Sequence, residues 1–403
     1  MDILLTAAGS YGDVAPYTGL GARLRAEGHA VALAAPESFG PLVTAAGLEF
    51  RPLPVDPRAP ADGRSSLLAK AAAFVDRLGD GLADAAAPGA DLLLFSATTA
   101  PLGRHLAEAM GVPGLDVPLQ PVAPTREFPP VVGGVRSLGG WGNRAAGALA
   151  RHAVDRLHAD AARRLRARLG LPARPRRAQR RLRERAGAPA LHGFSPVLLP
   201  RPADWPEELA VVGNWWPHEP AGGGLPAEVE DFLQAGPPPV FVGFGSMAAG
   251  EGERLGDLVA RALRRAGVRG VLQSGWAGLT AGGDDLLTVG ELPHALLLPR
   301  TAAVVHHSGA GTAAAGLRAG VPAVPVPVLA DQPFWAARLA RTGAATAPVP
   351  FAELSADRLA GALREVLREP AYRARARAAA GAMAREDGAA RVAEAVAEFG
   401  STC

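Results

Sequence analysis

One stretch of this sequence carries residues that could bind an anion. A short apolar run ends at His306 and His307, and the small residues of the string Ser-Gly-Ala-Gly-Thr (308–312) lead into a run of helical composition. A helix that begins in this way presents unpaired N–H groups and the positive end of its dipole. His307 adds a donor that could be cationic, whereas alternation along the strand gives His306 a structural role. The pattern predicts a phosphate site.

A polar pair follows the next apolar run. Asp331 and Gln332 come after the string Val-Pro-Val-Pro-Val-Leu-Ala (324–330) and should lie at the carboxyl edge of the same sheet. Ligands of open α/β sheets bind at this edge. A phosphate site next to a carboxylate and an amide suggests a phosphorylated ligand whose other half carries hydroxyl groups, such as a nucleotide-sugar. Both residues could instead cap the next helix.

Asp13 is the best candidate for a general base. It follows an apolar strand (residues 2–8) and the turn formed by Gly9, Ser10, Tyr11 and Gly12. A carboxylate at a strand-to-helix turn either caps the helix or accepts a proton in catalysis, and its position alone favours neither role. No other motif of the sequence offers a better base.

These residues resemble the donor-binding signature of nucleotide-sugar-dependent glycosyltransferases of the GT-B fold, in particular the bacterial natural-product enzymes (glycopeptide-antibiotic glycosyltransferases) and the sterol glycosyltransferases. Matching strings occur in the family's order along nearly the whole chain, although residues 116–189 carry none. They are Gly9-Ser-Tyr-Gly-Asp-Val, Phe194-Ser-Pro, Arg201-Pro-Ala-Asp-Trp-Pro, Phe244-Gly-Ser-Met, Ser274-Gly-Trp, Leu292-Pro-His and Asp331-Gln-Pro-Phe-Trp.

The resemblance implies inverting transfer of a sugar from a UDP- or dTDP-sugar to a hydroxyl of a small-molecule acceptor, with Asp13 as the general base. It assigns Asp331 and Gln332 to the hydroxyls of the donor sugar, where a carboxylate and an amide form orienting hydrogen bonds. The expected contacts of the donor diphosphate are Ser10, Gly245, Ser246, His307, Gly309, Gly311 and Thr312. The expected contacts of the nucleoside are Ser274, Trp276, Leu292 and Pro293.

Two residues depart from the family pattern. Tyr11 stands where related enzymes usually carry Arg, so the pocket near the acceptor or the sugar could differ. Ser308 replaces the usual Gly and is small enough to keep the phosphate site usable. Neither residue touches the expected chemistry, but both leave the choice of donor open.

The order of predicted elements indicates an α/β fold with two similar halves. Residues 2–35 and residues 240–274 each form a strand, a glycine turn, a helix and a second strand, which is the opening unit of a doubly wound domain. We expect a GT-B architecture of two Rossmann-like domains facing each other across a cleft. The predicted domains are an acceptor-binding domain (1–214), a linker (215–239), a donor-binding domain (240–385) and a C-terminal helix that returns to the first domain (386–403). Acceptor loops are expected at residues 54–67 and 118–143.

Composition limits the class of protein. The chain has 403 residues, which suits two domains, and 48% of them are hydrophobic. Cys403 is the single cysteine, so an intramolecular disulfide and a cysteine metal site are excluded. No apolar run reaches the roughly 20 residues that a membrane-spanning helix needs. Residues 1–8 enter a strand directly, without the basic and long apolar regions of a leader, so we expect none. We expect a cytoplasmic monomer or homodimer.

Several alternatives compete with this interpretation. The His306–His307 pair could bind a metal, but no third ligand lies at a suitable spacing and no Asp-x-Asp motif is present, so we expect no metal cofactor. An arginine-rich segment (144–185) could contact nucleic acid, but acidic residues intervene and aromatic residues do not, which favours an exposed helix. A dinucleotide-dependent oxidoreductase would carry a Gly-x-Gly-x-x-Gly fingerprint, which this sequence lacks. The alternative of a non-catalytic protein of the same fold that binds a partner stays open.

Overall fold

Two parallel β-sheets organise the chain. The structure, a computed structural model, describes residues 1–56, 67–133, 136–174, 189–219, 222–245, 251–276 and 278–401. Ser246, residues 57–66 of the first expected acceptor loop and residues 175–185 of the arginine-rich segment therefore lie outside the described residues. Within the described residues, no helix is long and apolar enough to cross a membrane.

The first sheet contains seven parallel strands in the order β3-β2-β1-β4-β5-β6-β7. Among them, β1 lies inside the sheet and is buried from Ile3 to Thr6, as expected for a parallel strand with helices on both faces. Ile3 pairs with Val31 on one side and with Leu92 on the other. The strands are β1 (Asp2–Thr6), β2 (Ala30–Pro36), β3 (Glu49–Leu53), β4 (Leu92–Phe95), β5 (Gly114–Asp116), β6 (Ala190–His192) and β7 (Leu209–Val211).

The second sheet contains five parallel strands in the order β10-β9-β8-β11-β12. Its first strand again lies in the interior of the sheet, and Val240 pairs with Gly270 on one side and with Ala303 on the other. The strands are β8 (Val240–Gly243), β9 (Gly270–Gln273), β10 (Leu286–Val289), β11 (Ala303–His306) and β12 (Ala323–Pro325). The predicted pair of Rossmann-like halves is confirmed.

Helices connect the strands of both sheets. In the first half they are α1 (Tyr11–Ala26), α2 (Gly40–Ala45), α3 (Leu67–Ala86), α4 (Ala100–Met110), α5 (Gly139–Leu157) and α6 (Ala159–Arg168). In the second half they are α7 (Ala227–Gln234), α8 (Gly252–Ala266), α9 (His294–Leu297), α10 (Ala310–Arg318), α11 (Gln332–Arg341), α12 (Ala356–Arg368), α13 (Pro370–Met383) and α14 (Gly388–Ser401). Short 3-10 turns occupy Glu37–Phe39, Leu298–Arg300 and Phe351–Glu353.

The first helix begins earlier than its sequence suggests. Proline is favoured at the first position of a helix, which places the start at Pro16. The structure instead starts α1 at Tyr11, with Ser10 as the N-cap residue and Pro16 inside the helix. The reason is local, because hydrogen bonds between Ser10 and Asp13 stabilise the earlier turn. Asp13 is thereby the third residue of the helix.

The two halves share buried apolar contacts. Helix α14 packs on α1, and Val392 and Val396 lie in the same core as Ile3 of β1, which confirms that the C-terminal helix returns to the first half. A second cluster joins Phe128 and Phe194 of the first half to Phe334 and Trp335 of the second. These contacts hold one half against the other.

Two chain segments cross between the halves side by side. A Cβ added at Gly388 would lie 2.3 Å from the carbonyl oxygen of Gly213, so the segments touch through glycine. Ser195 Oγ donates to Glu386 Oε1 at 2.7 Å in the same place. The expected linker (215–239) includes α7, whose Val229 is buried beneath the second sheet. The residue limits expected for the two domains and the linker stay predictions.

Candidate active site between the two sheets

The candidate residues follow the strands at which each sheet reverses its strand order. Asp13 follows β1, Gly245 follows β8 and His307 follows β11. In each sheet the order reverses beside the first strand, between β1 and β4 and between β8 and β11. Such a reversal opens a crevice at the carboxyl ends of the strands, and ligands bind there. The two halves therefore each contribute one crevice.

The carboxylate of Asp13 is held at the start of α1. The main-chain N–H of Ser10 donates to Asp13 Oδ2 at 2.7 Å, and Ser10 Oγ donates to the same oxygen at 2.8 Å. No hydrogen bond from the described residues reaches Oδ1. Burial raises the pKa of Asp13, although the two hydrogen bonds from Ser10 oppose this rise. A half-buried carboxylate with one free oxygen and a raised pKa is suited to accept a proton.

Gly9 makes room for this carboxylate. Its backbone has φ +143, in a region that favours glycine. A Cβ added at Gly9 would lie 2.4 Å from Asp13 Oδ2 and 2.8 Å from Asp13 Cβ. The position of Asp13 therefore requires glycine here, a requirement that depends on the fold and that the sequence alone does not display.

The turn between β11 and α10 leaves three consecutive residues with unsatisfied polar atoms. His306 Nε2, His307 Nδ1 and Ser308 Oγ are buried and have no hydrogen-bond partner among the described residues. Such atoms are rare in folded proteins, because each costs about 1–3 kcal/mol when unpaired. Gly309 is the N-cap residue of α10, so the free N–H groups of the first helical turn lie beside them.

Ser308 adopts a conformation typical of glycine. Its φ of +65 is in the left-handed region, which glycine adopts without strain, so the glycine that the family resemblance implies at this position would also fit. The N–H of Ser308 donates to His306 Nδ1 at 3.0 Å, and this bond places the proton of the buried His306 ring on Nε2. The turn thus keeps the shape that a glycine would give it.

His307 lies between two glycines. A Cβ added at Gly245 would lie 2.8 Å from His307 Cε1, and one added at Gly309 would lie 2.7 Å from His307 Nε2. Burial lowers the pKa of His307 to about 4. The sequence-based suggestion that His307 could be a cationic donor is therefore wrong. The His307 ring is neutral at neutral pH and can offer only an uncharged N–H.

Asp331 and Gln332 lie at the start of α11, with Asp331 as its N-cap residue. Gln332 Oε1 accepts from the N–H groups of Val328 at 2.8 Å and Leu329 at 3.1 Å, so its carbonyl is occupied and its amide nitrogen is the group that remains for a ligand. Asp331 Oδ2 accepts from Trp335 Nε1 at 3.0 Å.

Asp13 and Asp331 interact electrostatically. Burial raises the pKa of the Asp331 carboxyl, and the charge of Asp13 raises it further. The two carboxylates come from different halves of the chain, so the end of β1 and the loop after β12 lie close enough for their charges to interact. The charge of the expected base therefore acts on the expected sugar contact.

The residues expected near the nucleoside lie on two loops beside this space. The N–H of Ser274 donates to Val289 O at 2.9 Å, and the N–H of Trp276 donates to Gly245 O at 3.0 Å. The Trp276 ring is partly exposed rather than part of the core. The first bond connects the loop after β9 to the end of β10, and the second connects it to the turn after β8, next to His307.

The loop after β10 completes this edge. Leu292 is partly buried against the core that contains Phe241, and Pro293 is the N-cap residue of α9. His294 of α9 packs edge-on against Phe241, and burial lowers its pKa to about 4. Within the described part of the chain, no group of three or more acidic, histidine or cysteine side chains could hold a metal ion.

Comparisons with known proteins agree with this geometry. The family described as glycosyltransferase family 28 N-terminal domain matches residues 3–129. The family described as erythromycin biosynthesis protein CIII-like, C-terminal domain matches residues 276–399. The first match includes Asp13, and the second includes His307, Asp331 and Gln332.

Curated relatives extend over the whole chain. An O-mycaminosyltylonolide 6-deoxyallosyltransferase of Streptomyces fradiae is 37% identical, over 96% of this chain and 95% of its own length. A sterol 3-beta-glucosyltransferase of Arabidopsis thaliana is 32% identical, over 97% of this chain but only 64% of its own length. Among solved structures, the glycosyltransferase VinC in complex with DTDP shares the fold, with a TM-score of 0.71, 22% identity and full coverage of both chains.

Proposed function

The chain belongs to the nucleotide-sugar glycosyltransferases of the family 28 and erythromycin CIII-like type, and from this premise we propose an inverting enzyme that glycosylates a hydroxyl of a natural product. The observation that carries the proposal is the pair of buried polar atoms at the start of α10, His307 Nδ1 and Ser308 Oγ, which have no hydrogen-bond partner among the described residues. A bound diphosphate would supply acceptors for such donors, and the N-terminus of α10 would stabilise its charge.

Asp13 acts as the general base in the proposed mechanism. Its carboxylate removes the proton of the acceptor hydroxyl while that oxygen attacks the anomeric carbon of the donor sugar. The bond from the anomeric carbon to the diphosphate oxygen breaks in the same step, and the nucleoside diphosphate leaves with the electron pair. One displacement of this kind inverts the configuration at the anomeric carbon.

The leaving diphosphate is stabilised by neutral donors. The N–H groups of Gly309, Gly311 and Thr312 at the start of α10, with the ring of His307, would stabilise the charge that develops on it. Ser10, Gly245 and Ser246 are proposed to complete the contacts. In this mechanism the helix terminus takes the role that a divalent ion has in other transferases, so we propose metal-independent transfer.

Asp331 and Gln332 are proposed to orient the donor sugar. Asp331 offers Oδ1 as an acceptor and Gln332 offers its amide N–H groups as donors, so together they can bind neighbouring hydroxyls. The nucleoside would lie against Ser274, Trp276, Leu292 and Pro293. The relative named for a transfer to O-mycaminosyltylonolide and the DTDP complex of VinC support a natural-product acceptor and a dTDP-sugar, and a UDP-sugar is the alternative donor.

Calorimetric binding of dTDP, UDP, GDP and NAD, in buffer that contains a metal chelator, tests the proposal. We expect dTDP or UDP to bind more tightly than GDP and NAD, and a His307→Ala variant to bind the same nucleotide more weakly. Preference for NAD would contradict the proposal in favour of a dinucleotide enzyme. Absence of binding to all four would contradict it in favour of a non-catalytic protein, and a strict need for a divalent ion would contradict the metal-independent mechanism.

A further inference from the structure

Trp335 is buried behind the expected sugar site. It lies on α11 one helical turn after Asp331, and none of its surface is exposed. Its indole Nε1–H donates to Asp331 Oδ2 at 3.0 Å. By contrast, Nε1 of the buried Trp205 and Trp215 has no hydrogen-bond partner among the described residues. The indole N–H of Trp335 therefore makes a specific polar contact inside an apolar environment.

The indole ring cannot turn away from this contact. Phe194 packs edge-on against it with ring centroids 5.8 Å apart, and Phe334 does so at 5.3 Å. Phe334 in turn packs against Phe128, at 5.4 Å. Because Phe128 and Phe194 belong to the first half of the chain, the orientation of the indole depends on the contact between the two halves.

The backbone beneath Asp331 is fixed as well. Gln332 Oε1 accepts from the N–H groups of Val328 and Leu329, and Ala330 has φ +59, a left-handed conformation that is rare for alanine. With the main chain held in this way, the remaining freedom of Asp331 is rotation of its side chain. The bond from Trp335 to Oδ2 removes that rotation and leaves Oδ1 for a ligand.

We propose that Trp335 is a positioning residue for the donor sugar, whose indole N–H fixes the Asp331 carboxylate in the orientation that binds sugar hydroxyls. The proposal rests on the proposed function, in which Asp331 contacts the sugar. Trp335 itself touches no substrate. Binding sites depend on such supporting contacts, because a ligand-binding side chain must be held close to its productive geometry.

The test compares Trp335→Phe with Trp205→Phe. Both substitutions replace a buried indole by a smaller ring, but only the first removes a hydrogen bond to a ligand-binding residue. Calorimetry would measure the affinity for a nucleotide alone and for its glucose derivative, either dTDP and dTDP-glucose or UDP and UDP-glucose. We expect Trp335→Phe to weaken binding of the nucleotide-glucose about tenfold and to leave nucleotide binding within about twofold, since one hydrogen bond to a charged group is lost.

The control and a double variant separate positioning from packing. Trp205→Phe should leave both affinities within about twofold of wild type. In an Asp331→Ala background, Trp335→Phe should cause no further loss, because the carboxylate that it positions is absent. The proposal is overturned if Trp335→Phe weakens both ligands equally, if it matches Trp205→Phe, or if its effect persists without Asp331.

An NMR measurement tests the contact without any ligand. The chain has six tryptophans, so ¹⁵N-labelled tryptophan gives few indole N–H resonances, and the one missing in Trp335→Phe belongs to Trp335. We expect this resonance to shift with pH in the wild type, as Asp331 titrates, and to lose that shift in Asp331→Ala. If wild-type protein binds no nucleotide, the proposed function fails, while this titration still decides the contact. A resonance that does not titrate overturns the positioning role.

Discussion

Replacing Gly9 by alanine should disable the enzyme by displacing Asp13. The added Cβ would lie 2.4 Å from Asp13 Oδ2 and 2.8 Å from Asp13 Cβ. Since non-bonded carbon and oxygen atoms prefer separations of about 3.5 Å, the carboxylate must move by about 1 Å. Rotation of the side chain relieves only the first contact, because Asp13 Cβ is fixed by the helix. A displacement of about 1 Å at a catalytic group can cost about 10²-fold in rate.

Gly28→Ala is the matched control. Gly28 follows the other end of α1, has φ +91, and has no atom within 4 Å of an added Cβ. Both substitutions force alanine into a conformation that favours glycine, which costs about 1–3 kcal/mol. Only Gly9→Ala also disturbs the carboxylate. Thermal unfolding would establish that both variants are folded at the assay temperature.

The assay is steady-state transfer with saturating acceptor and varied donor. We expect kcat/KM of Gly9→Ala to fall about 10²-fold below that of Gly28→Ala, with nucleotide affinity retained in both. If the folded Gly9→Ala variant keeps kcat/KM within about threefold of the control, the position of the Asp13 carboxylate does not govern the reaction, and the argument from its geometry is refuted.

Two further predictions concern ionisation. Burial raises the pKa of Asp13, and the base must be ionised to act. We therefore expect kcat/KM to fall on the acid side at a higher pH than for an ordinary aspartate. A pH–rate profile whose acid limb lies in the ordinary range of aspartate would contradict this prediction. Burial lowers the pKa of His307 to about 4, so the ratio of nucleotide affinities between wild type and His307→Gln should stay constant from about pH 5.5 to about pH 8. A calorimetric ratio that falls across this range would instead indicate a cationic histidine.

Much of the fold could be predicted from the sequence. Short apolar runs that end in glycine turns, such as the one that ends at Gly9, predict parallel strands followed by helices. The repetition of this order from residue 240 predicts a second sheet. Both predictions are confirmed by the strand order of the two sheets. These features depend on local composition, which a single sequence displays directly.

Contacts between distant segments could not be predicted in the same way. The sequence indicates that Phe128 lies in a functional loop, but not that its ring packs against Phe334 in the other half. Burial of the His307 ring depends on the turns around Gly245 and Gly309, so its low pKa is a property of the assembled site. The contact of Trp335 with Asp331 has a sequence signal, namely the spacing of one helical turn, but only the structure shows that the indole is buried there.

The most direct test of the central claim is the transfer rate of Asp13→Asn, measured together with its affinity for the donor. Asparagine keeps the size of the side chain and can accept the hydrogen bonds from Ser10, but it cannot take a proton. We expect kcat to fall about 10²–10⁴-fold while the dissociation constant of the donor nucleotide stays within about twofold. An unchanged kcat would show that Asp13 is not the base, and the proposed mechanism would be wrong.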